Sequence, residues 1–256
     1  MIATIKKYYS DPYLYKIKTN VSQVFQNKAI ELSQTIAYPE GGGQDSDQGS
    51  ITHVKTGYVF SFKLVKRMFG HSVKTDNDNW VNVGGIIFHY VEDSDIEKLD
   101  VIEEGDEVII EIDYTLRHKL STSHSASHLL YIGVGEVRPD LIKDTIGCHI
   151  KEGQARFDFR TDTKFSADEL TAIESISNEL VKHNLDISLF ASKDHPDARF
   201  WQCDKHIIPC GGTHLEKTGS IGSMQIKRKN IGKGKERIIC QLNNPLYDTH
   251  QYKEGI

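Results

Sequence analysis

No apolar stretch in this chain approaches the ~18 residues that a bilayer-spanning helix needs; Val108-Ile109-Ile110-Glu111-Ile112 is only strand-length. The opening Met1-Ile2-Ala3-Thr4-Ile5-Lys6-Lys7 has neither the apolar core nor the cleavage pattern of a secretory signal. These two absences predict a cytoplasmic protein with no membrane partner. Cysteine is scarce: Cys148, Cys203, Cys210 and Cys240 show no tight framework spacing, which excludes a disulfide-stapled scaffold and leaves reduced thiols available to a metal. Positive charge is not in surplus either. A formal net charge of -5 argues against indiscriminate binding to nucleic acid and against DNA as a partner. There is no internal repeat, no low-complexity tract, no Walker A or GxGxxG loop, and no calcium-loop spacing in the acidic turns Asp76-Asn77-Asp78-Asn79 and Glu92-Asp93-Ser94-Asp95.

What is present is the composition of a globular protein, with 38% hydrophobic and 26% charged residues over 256 positions, long enough for two domains. Residues 1–114 read as short strands between turns, among them Thr35 to Tyr38, Val81 to Val91 around Gly84-Gly85, and Glu107 to Ile112, which suggests a small barrel or sandwich. The pattern changes near Tyr114, where we place a domain boundary. Residues 115–256 then read as α+β. A helix carrying His124 and His128 runs to about Glu136, ahead of Pro139, with Ser121, Thr122 and Ser123 as N-cap candidates. Ala155 to Arg160 alternates like a strand. Ser166-Ala167-Asp168-Glu169 opens a second helix with a capping box, and Leu170, Ile173, Ile176, Leu180 and Val181 recur at helical spacing to about Asn184. Ile187 to Phe190 and several segments between Cys203 and Leu242 read as strands. Lys227-Arg228-Lys229 with Lys233, Lys235 and Arg237 marks a hairpin with a cationic tip, which fits either phosphate contact or a solvated sheet edge.

Two motifs some eighty residues apart carry the chemistry. In His124-Ser125-Ala126-Ser127-His128 a helix places both imidazoles on one face, close enough to share an ion. Cys210-Gly211-Gly212-Thr213-His214 adds a thiolate and a third imidazole, with glycines that let the chain turn tightly between them. Either motif alone is as compatible with packed or surface side chains. Together they offer four ligands, and this borderline-soft donor set suits tetrahedral Zn²⁺. Cys203 sits near enough to compete as a ligand, but its neighbours suggest a strand end. His149 is a candidate for lining the site, though for it, as for His195 and His206, packed or surface placement is the simpler reading. A third motif, Tyr38-Pro39-Glu40-Gly41-Gly42-Gly43-Gln44 with Asp47 and Gly49, spends three consecutive glycines where the backbone must turn sharply or approach a ligand closely.

Taken in order with Thr218-Gly219-Ser220-Ile221-Gly222, these motifs resemble the editing domain of alanyl-tRNA synthetase and its free-standing relatives, the AlaX proteins. The resemblance runs from roughly Ile36 to Cys240, and the glycine loop with a preceding β domain makes the chain similar to the larger AlaX forms. It implies an N-terminal β-barrel followed by an α+β domain of the threonyl- and alanyl-tRNA synthetase type, with zinc held by His124, His128, Cys210 and His214. Ser125 and Ser127 depart from the usual His-Thr-Ala-Thr-His pattern, yet hydroxyls are retained at both positions. With its own Met1 and no room for an aminoacylation domain, the chain is expected to be a stand-alone trans-editing factor.

The implied reaction is hydrolysis of the ester joining a wrong amino acid, seryl or glycyl, to tRNA-Ala. An ester needs an activated water, an oxyanion site and correct orientation. Four protein ligands close a tetrahedral shell, which favours zinc as organiser of the pocket, with Gln44 and Thr213 as hydrogen-bonding groups beside it. Two rival functions are a non-catalytic zinc-stabilised RNA-binding module and a zinc hydrolase of small esters or amides. Neither explains the glycine loop.

Overall fold

The structure is a computed structural model that describes residues 2–25, 28–75 and 80–256. The Asp76 to Asn79 turn expected from the sequence lies outside the described residues. The N-terminal part closes into a six-stranded barrel whose strands run, around the wall, Leu14–Phe25, Ala29–Leu32, Ile86–Val91, Val59–Met68, Gly49–His53 and Glu107–Ile112, the last pairing back onto the first. All six pairings are antiparallel. Closure depends on the long first strand, whose Lys16 to Asn20 half pairs with Glu107–Ile112 while its Val21 to Phe25 half pairs with Ala29–Leu32. Alternation fills the interior: in Glu107–Ile112 the side chains of Val108, Ile110 and Ile112 point inward and join Ile30, Ile51, Phe60, Phe62 and Ile87.

The strand pattern expected from Val81 to Val91 around Gly84-Gly85 divides into two strands. Trp80–Val83 pairs with His71–Lys74 in a separate two-stranded sheet, and only Ile86–Val91 joins the barrel. The break is at Gly85, which has φ of +79 and lies so close to the wall that an added Cβ would sit 2.6 Å from the Met68 carbonyl oxygen. Likewise, the expected Thr35 to Tyr38 strand shrinks to Gln34–Thr35, because Ile36 onward is drawn inward as the approach to the glycine loop.

The second half packs helix α1, Tyr114–Val137, and helix α2, Ala167–Lys182, on a four-stranded antiparallel sheet ordered Thr145–Lys151, Gln154–Arg160, Lys235–Asn243, Ser223–Asn230. A three-stranded sheet of Ile187–Ala191, Arg199–Cys203 and His206–Pro209 flanks it. The fold is α+β, as expected. One apolar core draws on barrel residues from Ile17 to Ile112, and another runs from Ala126 to Leu242.

The cap of α2 matches its sequence signal: Ser166 Oγ accepts from Glu169 N–H at 3.1 Å and Glu169 Oε2 accepts from Ser166 N–H at 2.7 Å. The start of α1 does not. Ser121, Thr122 and Ser123 lie mid-helix and buried, and Asp113 caps the helix by accepting from Leu116 N–H at 2.9 Å. The helix is enclosed on all sides from Leu120 to Leu130, so small residues are needed there; the hydroxyls of Thr122 and Ser127 bond back into the helix, to His118 O at 2.8 Å and His124 O at 2.7 Å. Gly133 permits the crossing with α2, since a Cβ there would fall 2.8 Å from Ser177 Oγ.

The two halves are joined by a buried ion pair. Arg117 on α1 donates from Nε to both carboxylate oxygens of Asp47 at 2.9 and 3.1 Å, and from Nη2 to Asp47 Oδ2 as well. The remaining donors reach Pro12 O at 3.0 Å and Ile36 O at 2.7 Å, while Asp47 Oδ2 also accepts from Tyr38 N–H at 2.6 Å. Arg117 is 1% exposed and Asp47 0%, so each charge depends on the other and on these bonds. Removing one partner strands the other: Arg117→Ala and Asp47→Ala should each cost about 3–5 kcal/mol of stability, read from urea midpoints, and a loss below about 1 kcal/mol in both would contradict this role.

Inside the barrel His89 is sealed and neutral, bonded to the Ile30 carbonyl at 2.9 Å and Thr35 Oγ1 at 2.8 Å, and burial pushes its pKa down to about 4. In the unfolded chain it titrates near 6.5, so the unfolded state takes up the proton first. Stability from this group is intact above pH ~6.5 and falls on acidification by about 1.4 kcal/mol per pH unit until the folded pKa is reached. Urea midpoints of the metal-free protein should therefore drop between pH 6.5 and 4.5, less steeply in His89→Gln; a flat profile would contradict the assignment.

Candidate metal centre

Helix α1 presents His124 and His128 one turn apart, with ring centroids separated by 5.1 Å. The chain leaving His206–Pro209 supplies the other half: Cys210 N–H donates to Arg199 O at 2.9 Å, and the following turn brings His214 onto the same point. One ligand atom from each of His124, His128, Cys210 and His214 falls within 4.8 Å of all the others. Cys210 Sγ lies 3.4 Å from His124 Nε2 and 3.3 Å from His214 Nε2. Metal–nitrogen and metal–sulfur bonds of ~2.0 and ~2.3 Å at tetrahedral angles give a nitrogen-to-sulfur edge of roughly 3.5 Å, so the donor set fits a tetrahedral cation. His128 Nδ1 is buried without a hydrogen-bond partner among the described residues.

Electrostatics fit the same use. Burial pushes His124 down to about 3 and holds His128 and His214 well below the usual histidine range, so all three are neutral, the form that ligates metal. Burial also pushes the Cys210 thiol up to about 12, although the Gly212 N–H donates to its sulfur at 3.4 Å. A nearby divalent cation reverses that preference and stabilises the thiolate. Gly212 is obligatory in this geometry because an added Cβ would stand 2.1 Å from His124 Cε1 and 2.3 Å from Nδ1.

Gln44 and Thr213 are buried behind His124. Gln44 Oε1 accepts from His124 Nδ1–H at 2.6 Å and from Thr213 N–H at 3.2 Å, and its Nε2 donates to Thr213 Oγ1 at 2.9 Å. The Thr213 amide requires an acceptor, which fixes the orientation of the Gln44 carboxamide; that in turn fixes the His124 tautomer and leaves Nε2 for the cation. Ser121 Oγ donates to Thr213 Oγ1 at 2.8 Å, and Ser125 Oγ accepts from Leu215 N–H at 3.0 Å while facing His214 Nδ1 at 3.3 Å. The glycine loop that carries Gln44 is itself laced to the adjoining sheet, with Ile150 N–H donating to Gly43 O at 2.7 Å and Asp45 N–H to Ile150 O at 3.1 Å. Gly43, at φ of +85, leaves room for Cys148, whose sulfur would meet an added Cβ at 2.4 Å.

A cavity of about 390 Å³ opens onto His124, His128 and Cys210. Its lining includes the contacting pair Tyr131 and Phe157 with Ile150, the packed tyrosines Tyr8, Tyr9 and Tyr38, and Arg67, Asp197 and Arg199. Sequence reasoning missed these last residues together with Arg117 and Ser121, since they come from separate segments with no shared spacing. Cys203 is buried in the second core at the end of its strand, outside the metal cluster. His149 pairs with Asp45 at 2.8 Å on the outer side of the glycine loop, and His195 and His206 are also outside the cluster. In the cationic hairpin Arg228 is held by Glu236 and Arg237 by Asp158, whereas Lys227, Lys229, Lys233 and Lys235 have no carboxylate partner among the described residues.

No described helix is long and apolar enough to cross a membrane. Residues 199–239 match a family model described as the threonyl and alanyl tRNA synthetase second additional domain. Over 93% of the chain there is 32% identity to an alanyl-tRNA editing protein AlaX-M of Pyrococcus horikoshii, covering 98% of that protein, and 25% identity over 92% of the chain to the AlaX-M protein of Methanosarcina mazei, covering 95% of it. The alanine–tRNA ligase of Methanosphaera stadtmanae is 31% identical over 90% of the chain, which spans only 26% of that ligase. A metal-fitting quartet braced by a glycine loop, on an α+β fold entered through a β-barrel, thus coincides with near full-length likeness, and the chain belongs to the AlaX-M family of alanyl-tRNA editing proteins.

Proposed function

We propose that the chain is an aminoacyl-tRNA deacylase that hydrolyses the ester of a wrong amino acid on tRNA-Ala, with the seryl ester as principal substrate and the glycyl ester as a second. The observation that carries this reading is the Gln44 to His124 hydrogen bond, which makes the glycine loop and the ligand quartet one unit at the floor of a cavity large enough for a small ligand. A purely structural metal in an RNA-binding module needs neither the cavity nor the loop. In this reading residues 1–114 and 115–256 act as two units that meet at the centre.

Zn²⁺ is the cation proposed for His124, His128, Cys210 and His214, where it supplies Lewis acidity and a fixed point for orienting the ester. Gln44 and Thr213 act on the reaction by holding the His124 ring, and Ser121 holds Thr213. The apolar lining from Tyr131, Phe157 and Ile150 excludes water from the part of the cavity it covers. Discrimination follows from polar pairing: a site that hydrogen-bonds a seryl hydroxyl rejects the alanyl ester, whose methyl leaves those groups unpaired, a penalty that reaches ~10⁴ to 10⁵, whereas the smaller glycyl ester leaves room for a water to take the hydroxyl's place. The lysines of the Ser223–Asn230 and Lys235–Asn243 hairpin suit the phosphates of the tRNA body.

The purified zinc-loaded protein should deacylate seryl and glycyl tRNA-Ala while sparing the alanyl ester; zinc binding with an intact fold but no turnover on any of the three would leave the binding module as the better reading. Gln44→Ala should weaken zinc binding about 10–100-fold in chelator competition while the protein stays folded. Unchanged affinity would remove Gln44 from the ligand-positioning role.

A further inference from the structure

The cavity lining also carries two guanidinium groups, of Arg67 and Arg199, that the chemistry proposed at the metal does not use. Arg67 donates from Nη1 to the Asn82 carbonyl at 3.1 Å, and Arg199 donates from Nη2 to the Tyr9 carbonyl at 3.2 Å. Each arginine has five N–H donors, so both retain free ones. Arg199 also lies over the Tyr9 ring, 5.2 Å from its centroid, and burial lowers its pKa, the mark of a cation partly stripped of water. Neither has a carboxylate within ion-pair distance among the described residues. Asp197 shares the cavity, but its charge is committed to the buried Lys6 ammonium at 2.6 Å and to the Gly84 N–H at 2.9 Å. Glu40, also on the lining, is exposed at the rim.

Two guanidinium groups without a carboxylate partner, one of them half-buried, on the lining of one cavity are arranged for an anion, and their planar forks match phosphate. The link between Arg199 and the turn that carries Cys210 narrows the choice. Arg199 is tied to the ligand turn, because its carbonyl accepts the Cys210 N–H at 2.9 Å. In a nucleotide the 3′ ester and the 5′ phosphate lie on opposite sides of one ribose, so a single cavity running from the ligand quartet to the arginines accommodates both. Resting on the deacylase reading above, we propose that Arg67 and Arg199 bind the 5′ phosphate of the substrate's terminal nucleotide and thereby set the distance from which its ester reaches the metal centre. Tyr9 is a positioning residue in this arrangement: its ring supports the Arg199 guanidinium, and its hydroxyl is backed by Gly211, where a Cβ would intrude to 2.9 Å.

The test uses zinc-loaded protein and a non-hydrolysable probe, 3′-serylamino-3′-deoxyadenosine, prepared with and without a 5′ phosphate, with affinities read by calorimetry. The wild type should bind the phosphorylated probe at least about tenfold more tightly, as expected for hydrogen bonds to a charged group. Arg67→Ala and Arg199→Ala should each remove much of that preference while affinity for the phosphate-free probe stays within about twofold, a pattern that general loss of structure cannot produce. Equal affinity for the two probes, or a preference that survives both substitutions, overturns the phosphate site alone if deacylation of tRNA-Ala esters persists. Failure of either probe to bind, together with no deacylation, overturns the phosphate site and the deacylase reading at once.

Discussion

A guanidinium and a carboxylate, both sealed from solvent, hold the glycine loop against the helix that carries His124 and His128. Arg117 and Asp47 belong to different halves of the molecule, and every bond around them connects something the site needs: the Tyr38 amide at the start of the loop, the Ile36 and Pro12 carbonyls of the barrel side, and helix α1 two turns before His124. Burying two charges costs several kcal/mol each unless geometry and additional hydrogen bonds offset it, so the pair tolerates little displacement. Its rigidity is what places Gln44 at 2.6 Å from His124 Nδ1. A loop of three glycines has no such precision on its own, because glycine carries the greatest entropy cost on ordering.

The centre thus takes its shape from two directions. From α1 and the Cys210 turn come the ligands, in an enclosed pocket that keeps three imidazoles neutral. From the barrel come the acceptor that fixes one of those imidazoles and the tyrosines that wall the cavity. A metal site built by the second half alone would retain its donors but lose control over the orientation of His124, and second-layer contacts of this kind weigh heavily on metal affinity and reactivity. The position of the barrel ahead of the editing fold therefore has a chemical reason as well as an architectural one.

Much of this was legible in the chain because the informative signals are local. His124 and His128 are one helical turn apart, Cys210 and His214 flank two glycines, and the Ser166 and Glu169 pair marks the start of α2 within four residues. Other features were hidden because they depend on tertiary surroundings. The hydroxyls of Ser121 to Ser123 read as caps, but enclosure of α1 turns them into small core residues, and the true cap is Asp113. Arg117 carries no local signal of its role, because its partner Asp47 stands seventy residues earlier. Gly84-Gly85 was visible in the sequence, but not the split it makes, since periodicity cannot report where a backbone must bend around a neighbour. Tyr9, Arg67 and Arg199 share a cavity but no sequence pattern.

The central claim is that the glycine loop and the metal centre are a single coupled unit, and coupling of this kind is reciprocal. The most direct measurement is amide hydrogen exchange with and without bound zinc, followed at Tyr38, Gln44, Asp45 and Asp47 in the loop and at Thr213 beside the ligands. Zinc should slow exchange at the loop amides as well as at Thr213, and in Gln44→Ala the slowing should retreat to the Cys210 to His214 turn and α1. Slowing confined to that turn and α1 in the wild type would contradict the coupling.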